Sequence, residues 1–471
     1  MDMRADAAIA ATAATRRLPG WGAFAIASTA VLLVANDSTM LFAAFGALRH
    51  AFPGATAAEL SWVLNAYTVV FATLLVPAGG LADRFGTRRS FLAGLALFLG
   101  GSAAAGMSPS MGLLVASRVT QGVGAALVTP SSLAIILAAF PPARRAVVVG
   151  LWGAASALGA AIGPIAGSFA AELHGWAGVF FVNLLPGAAA LYLGWRYLAP
   201  APGGGRTASV DLVGMLLLGL AAGALAMAIT QSGSPVWSRA DLALLAGGGV
   251  LALLGFVLWA GRSAAPLVDL SLFRSRTYSA VNLATLVFNV AFIMMFFSLF
   301  SFLTKVWHYS LPLAGMAIAA GPLTVVPVAF LAGRFAARSG HRVLLVAGSL
   351  VFAAAGTWLL LVPGTQPAYL SQWLPAMLLS GIGIGMVLPS LSGAAVAGLA
   401  PARFAVGGAV NQAVRQFGAV LGVALTVRWL GGAHLAPADS EPVFGMQIGL
   451  ALLTGLLCLV VHTRPGMAPG R

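Results

Sequence analysis

A polytopic, all-α membrane protein is the fold class this sequence predicts, and three observations predict it. Sixty per cent of the 471 residues are apolar and only 8% are charged. A water-facing domain carries roughly 25% charged residues, so lipid is the main solvent here. The apolar residues also come in long runs, and a helix needs about 20 of them to cross the hydrocarbon layer. Only helices and closed barrels satisfy their backbone in lipid, and barrel strands of about 10 residues are too short to account for these runs. Finally, the basic residues sit singly or in small groups between runs, as the short cytoplasmic loops of membrane proteins collect them. That placement reads the net charge of +14 as topology and leaves no basic nucleic-acid surface.

Taken in order, residues 1–20 form a basic cytoplasmic leader with Arg4, Arg16 and Arg17. The run 21–47 is too long for a signal-peptide core and holds Asp37, so it is the first span. Further spans follow at 60–80, 90–107, 111–139, 147–171 and 178–198, closing a six-helix bundle over 21–198. A Pro/Gly-rich cytoplasmic loop, 199–210, leads to two inserted helices within 211–261, near 211–231 and 241–261. A basic cytoplasmic linker, 262–277, opens a second six-helix bundle over 278–463. Its spans read 278–305, 313–333, 343–362, 372–398, 406–430 and 444–463, before a cytoplasmic tail at 464–471. With both termini inside, fourteen spans put nineteen of the 25 basic residues on the cytoplasmic side. An odd count would scramble that asymmetry.

The two bundles read as a duplication. Gly122, Gly124, Pro130, Pro142, Ala143 and Arg144 recur 259 residues later as Gly381, Gly383, Pro389, Pro401, Ala402 and Arg403. Gly159 and Gly163 recur at the same offset as Gly418 and Gly422. The charged stretch 79–89, with Gly79, Asp83, Arg84, Gly86, Arg88 and Arg89, recurs at 254 residues with Ala337 in place of Asp83. Parallel duplicated halves place a substrate path at their interface near the membrane midplane.

These stretches resemble the major facilitator superfamily. The segment 79–89 looks like its loop between helices two and three, and 118–126 (RVTQGVGAA) is similar to its fourth-helix motif. Residues 159–167 (GAAIGPIAG) resemble its fifth-helix antiporter motif. Asp37-Ser38-Thr39, the stretch from Trp62 to Tyr67, and Phe180-Phe181-Val182-Asn183 are similar to the fourteen-span drug:proton antiporter branch. The sequence departs from those patterns at Phe42, Thr87, Ser168 and Ala177-Gly178, which bears on substrate range more than on fold. The resemblance implies a proton-coupled antiporter of the bacterial inner membrane that exports lipophilic compounds by alternating access. It implies no cofactor beyond the proton gradient, and a monomer whose partners are substrate, protons and lipid. The alternative within transport is a dedicated exporter of one endogenous metabolite or antibiotic.

Asp37 lies well inside an apolar span, and an intramembrane acid is expensive enough to be a functional hypothesis by default. Its structural alternative is a hydrogen bond to Asn36 or Thr39. Counted at 1.5 Å per residue, Arg118 lies about 10 Å from the outer end of its helix and Asp37 about 22 Å from the inner end of its own. Equal depth lets the two pair for proton coupling; the alternative for Arg118 is a backbone carbonyl. The 79–89 loop is expected to act as a conformational latch, with Gly79 and Gly86 giving a tight turn and Asp83, Arg84 and Arg88 its charge partners. Gly159, Gly163 and Gly167 fall at four-residue spacing, a face on which helices pack closely, and Pro164 removes a donor there. That seam would bar a proton leak. Polar and aromatic candidates for a substrate lining are Asn65, Gln121, Asn282, Asn289, Phe296, Asn411, Gln412 and Arg415. A single cysteine, Cys458, excludes an internal disulfide, and the six histidines show no metal-ligand spacing. No paired carboxylates or nucleophile–base arrangement points to an enzyme, and no sizeable soluble domain is present to serve a receptor.

Overall fold

The computed structural model describes residues 20–199, 211–232, 237–264, 266–397, 399, 403–430 and 440–463. Within these, a few side chains, Asp83 among them, lie outside the described residues, as do the expected leader, tail and most of the 199–210 loop. The described chain is helical throughout. Its long helices are α1 (Gly20–Ala51), α2 (Ala57–Phe85), α3 (Thr87–Gly106), α4 (Met111–Ala139), α5 (Pro142–His174) and α6 (Leu184–Tyr197). The inserted pair follows as α7 (Leu212–Gln231) and α8 (Arg239–Arg262). The last six are α9 (Arg276–Lys305), α10 (Leu311–Ser339), α11 (Arg342–Leu361), α12 (Leu374–Ala397), α13 (Phe404–Leu430) and α14 (Glu441–Cys458). By length and hydropathy, 12 segments of the described residues are candidate membrane spans, which makes the chain a multi-pass membrane protein. One of them, Leu151–Tyr197, runs 47 residues and takes in most of α5 and all of α6; α13, which carries Arg415, is not among the 12.

Local chemistry sets the helix ends. Thr56 and Glu59 form a reciprocal capping box on α2, and Ser238 and Asp241 form another on α8. Asp211 caps α7 through the Gly214 amide at 2.8 Å and also accepts from Trp259 Nε1 at 2.7 Å and the Leu267 amide at 2.8 Å. One carboxylate thereby ties the inserted hairpin to the linker that follows it. Ser271 and Arg403 hold the Asp269 carboxyl of that linker below its ordinary value, hydrogen bonds from Ser271 being the larger cause.

The turn between α2 and α3 corrects one expectation. Gly79 does not belong to it: α2 runs on to Phe85, because interfacial charged residues are as helical as the apolar ones before them. Gly86 alone makes the connection, at φ 93°, a conformation L side chains reach only with strain. The matching turn in the second half is Gly340, at φ 77°. Replacing Gly86 with alanine is therefore expected to cost about 1–3 kcal/mol, read as a lower apparent Tm in detergent. Gly79→Ala, inside α2 with nothing nearer to its missing Cβ than Pro130 at 4.0 Å, should not lower Tm.

Helix contacts restate the duplication and explain its two offsets. Gly124 of α4 abuts Gly94 and Phe98 of α3, and Gly383 of α12 abuts Gly348 and Phe352 of α11. The α3 and α11 partners differ by 254 in number while the glycines differ by 259, so the five extra residues lie between α11 and α12. That connection contains the π turn Tyr369–Trp373. Gly159 and Gly163 of α5 press on Leu32 and Asn36 of α1, and Gly418 and Gly422 of α13 press on Leu286 and Val290 of α9, again 254 apart. Across the halves, Pro164 and Ser168 of α5 meet Gly315 of α10. The matching seam joins α13 to α2, where Val69, Val420 and Ala424 pack together with Ala226 of α7. The inserted α7 thus covers one of the two seams between the halves.

Candidate functional site

Residues 36–39 (NDST) are a polar interruption in the otherwise apolar α1, and their bonds keep them within the helix bundle. Ser38 Oγ donates to Val34 O at 3.0 Å, while Thr39 Oγ1 donates to Asn36 O at 3.2 Å and across to Ala160 O of α5 at 3.1 Å. Asp37, between them, is 2% exposed and turns toward α4. There Arg118 Nη1 donates to Asp37 Oδ2 at 2.6 Å, so the two residues expected at equal depth meet as an ion pair. Arg118 also donates from Nε to Val63 O of α2 at 2.8 Å and from Nη1 to Gln121 Oε1 at 2.7 Å. Its guanidinium lies 4.3 Å from the centre of the Tyr67 ring and 5.7 Å from that of Phe180, two cation–π contacts.

The other carboxylate oxygen is served by amides. Asp37 Oδ1 accepts from Asn183 Nδ2 at 3.0 Å and from Gln121 Nε2 at 3.3 Å. Asn183 stands in the gap between the helical turn Gly178–Phe181 and α6, and its Nδ2 also donates to Ser102 Oγ of α3 at 3.2 Å. Ser102 Oγ in turn donates to Phe180 O at 2.9 Å. Asn183 Oδ1 is buried without a hydrogen-bond partner. Residues of α4 and the junction before α6 thus reach the carboxylate of α1 directly, and α2 and α3 join the network through Arg118 and Asn183. A buried charge is tolerable only when paired and hydrogen-bonded, and here the anion has a cation and two amides.

The sequence reading missed Asn183, Ser102 and Tyr67 as partners of the pair. Asn183 and Tyr67 lie within stretches noted for family likeness, 180–183 and 62–67, but no local signal assigned them a contact. Gln121, expected in a substrate lining, belongs to the ion-pair network.

The remaining expected residues are scattered. Gly159, Gly163 and Gly167 form a seam with α1, where an added methyl would collide with Leu32, Thr39 and Met40 in turn. Pro164 sits in the same helix, its carbonyl 2.9 Å from the position of a Cβ on Gly315. Arg84 lies over the ring of Phe85 at 5.3 Å, and Arg88 donates through Nη2 to Trp195 O at the end of α6. The Asp83 side chain, the central member of the expected latch, is outside the described residues. Asn282, Asn289 and Asn411 bind one another's helices instead of facing open space. Asn411 Nδ2 donates to Asn282 Oδ1 at 3.1 Å and to Thr285 Oγ1 at 2.9 Å, and Asn289 Nδ2 donates to Arg415 O at 2.6 Å. Asn65 is buried with its Oδ1 unpartnered. Phe296 and Phe297 of α9 join Phe42 and Phe45 of α1 in an aromatic cluster with centroids 4.9–6.0 Å apart. Gln412 and Arg415 are half-buried.

Residues 27–423 match the family profile described as Major Facilitator Superfamily. The chain is 33% identical to the tetracenomycin C resistance and export protein of Streptomyces glaucescens, over 86% of this chain and 75% of that one. It is 30% identical to the methylenomycin A resistance protein of Bacillus subtilis, over 92% of both chains. It is 32% identical to the multidrug resistance protein Stp of Mycobacterium tuberculosis, over 82% of this chain and 72% of that one. Among solved structures, a D-xylose–proton symporter superposes with a TM-score of 0.68 over 94% of this chain and 98% of that one. At 15% identity, that likeness speaks for the fold alone.

Proposed function

The chain belongs to the Major Facilitator Superfamily, a family of transporters and not enzymes, and from that premise we propose that it is a proton-coupled antiporter exporting lipophilic compounds. The observation that carries the reading is the buried Asp37–Arg118 pair, 2.6 Å apart and nearly free of solvent. Binding a proton at Asp37 removes the charge that Arg118 pairs with and weakens the hydrogen bonds its carboxylate accepts, so the packing of α1, α4 and α6 depends on protonation state. A gradient can act on such a device, since a ligand shifts a conformational equilibrium only through its differential affinity for the two states.

The remaining expectations extend this proposal. Fourteen spans with both termini cytoplasmic follow from dividing α5 from α6 and counting α13. The Gly86 turn then lies on the cytoplasmic side, where it would act as the latch. The bacterial relatives support a place in the cytoplasmic membrane. The aromatic cluster of Phe42, Phe45, Phe296 and Phe297 falls in the outer halves of α1 and α9, which supports a state closed to the outside.

The test is substrate-dependent proton movement in proteoliposomes across a small panel of lipophilic antibiotics and dyes, with Asp37→Asn as control. Proton flux tied to export and lost in the variant is the expected result. Proton-coupled export retained by Asp37→Asn would sink the proposal. Relatives named for single antibiotics, tetracenomycin C and methylenomycin A, favour a second reading, a dedicated exporter. A deletion strain hypersensitive to one compound supports that reading, and one sensitive to many supports the broader one.

A further inference from the structure

We propose that Arg415 anchors an acidic group on the transported compound, so that its substrates are lipophilic organic anions such as carboxylates and phenolates. The word "transported" rests on the antiporter reading above; the anion site rests on a charge inventory of the bundle.

Asp37, Arg118 and Arg415 are the charged residues more than six positions from both ends of a described membrane-length helix. Asp37 and Arg118 neutralise each other. Arg415 is left over, and its guanidinium has no hydrogen-bond or ionic partner among the described residues. The duplication shows why no acid serves it. Moved by the offsets that the glycine contacts define, Asp37 corresponds to Ala291 of α9 and Arg118 to Met377 of α12. Both are buried, so the second half replaces the ion pair with apolar packing.

A surplus arginine could escape cost by stretching to the membrane surface. Arg415 lies 11 residues beyond the start of α13, about 16 Å along its axis, which is farther than a side chain extends. Nor does it face lipid. Asn411, Gly418 and Gly422 turn one side of α13 to α9, and Val420 and Ala424 turn another to α2 and α7. At 100° per residue, Gln412, Arg415 and Gln416 fall in the sector between those sides. Farther along the same sector Ala419, Val423 and Val427 are buried, while Gln412, Arg415 and Gln416 are only partly buried. The sector is therefore open toward one end of the bundle and shut toward the other, as a cavity between two halves would be. A guanidinium in such a place, flanked by two amides, is matched by a planar anionic group, to which it can donate two parallel hydrogen bonds. An intramembrane charge without a partner in the protein is met by water in a cavity or by a ligand of opposite sign, and such charges mark substrate pathways.

The test measures binding without any gradient, so that it stays separate from proton coupling. Full-length protein in lipid nanodiscs would be titrated with pyrene butyrate and with pyrenemethylammonium, the signal from empty nanodiscs being subtracted. The wild type should bind the carboxylate at least tenfold more tightly than the ammonium. Arg415→Gln should lose that preference by tenfold or more, Arg415→Lys should retain part of it, and Arg239→Gln, at an exposed helix end, should keep all of it. Equal binding of the two probes by the wild type, or an anion preference intact in Arg415→Gln, overturns the proposal. Should the Gln variant fail to fold, Arg415→Lys decides: weaker carboxylate binding supports the site, and unchanged binding overturns it. Preserved anion binding in a protein that moves no protons would instead tell against the antiporter reading while leaving this one standing.

Discussion

Arg118→Gln is expected to lower the apparent Tm of the purified protein more than any other single change at the ion-pair site, and adding Asp37→Asn should recover much of the loss. The reason lies in what each substitution leaves behind. Without the guanidinium, Asp37 keeps only its amide donors and stays a buried anion among apolar helices; breaking a buried pair from one side costs about 3–5 kcal/mol. Arg118 also holds Val63 O of α2 and Gln121 Oε1, so both lose a donor. Asp37→Asn alone is gentler. The new amide still offers an oxygen to Arg118 Nη1, and its nitrogen can donate to Asn183 Oδ1, buried and unpartnered in the native site, once the Asn183 amide rotates. In the double variant no charge remains to be compensated. Thermal unfolding of the four proteins in one detergent forms a double-mutant cycle, and a coupling of about 1–3 kcal/mol is expected between contacting residues. Additive losses would show that the two side chains act independently. Proton-coupled export should not recover with stability in the double variant, since the group proposed to take the proton is gone.

The fold was legible because composition alone forces it: a chain with 8% charged residues has no surface to show to water. The duplication was legible for a related reason. Gly124 and Gly383 sit where two helix backbones touch, and nothing larger fits such a contact. The ion pair was half legible. An acid in an apolar run announces itself by cost, and a depth count brought Arg118 to the same level. Its amide partners did not announce themselves, because Asn183 is 146 residues from Asp37 and an asparagine at a helix break has many ordinary uses. The asparagines of α9 and α13 mislead in the opposite direction. Their polarity suggested a lining for substrate, whereas they bond across a helix seam that lipid cannot hydrate. Gly79 was drawn into the turn by nearby charges, though those charges mark the interface and Gly86 alone reverses the chain.

Gly163→Ala carries the second large effect, because it strikes the seam beside the acid from the far side of α1. A Cβ at position 163 would run into Thr39 Oγ1 and come within 2.9 Å of Asn36 O, which is backbone and cannot rotate away. Thr39 is already committed, donating to Asn36 O and to Ala160 O across the seam, so moving its hydroxyl forfeits the bond that ties α5 to α1. Gly159 and Gly167, a turn to either side, meet Leu32 and Met40 with equally little room, and α5 cannot tilt away from one contact without straining the next. Overpacking of this kind costs about 1–3 kcal/mol. The consequence should exceed the stability loss, since the displaced backbone is that of residues 36–40, which aims Asp37 at Arg118. Two measurements separate the effects: the apparent Tm, and proton leak into proteoliposomes without substrate. A lowered Tm with rising leak is expected, while Gly153→Ala, ten residues earlier on α5 with nothing within 4 Å, should change neither. A Gly163→Ala protein as stable and as proton-tight as wild type would mean that the α1–α5 seam yields without disturbing the acid.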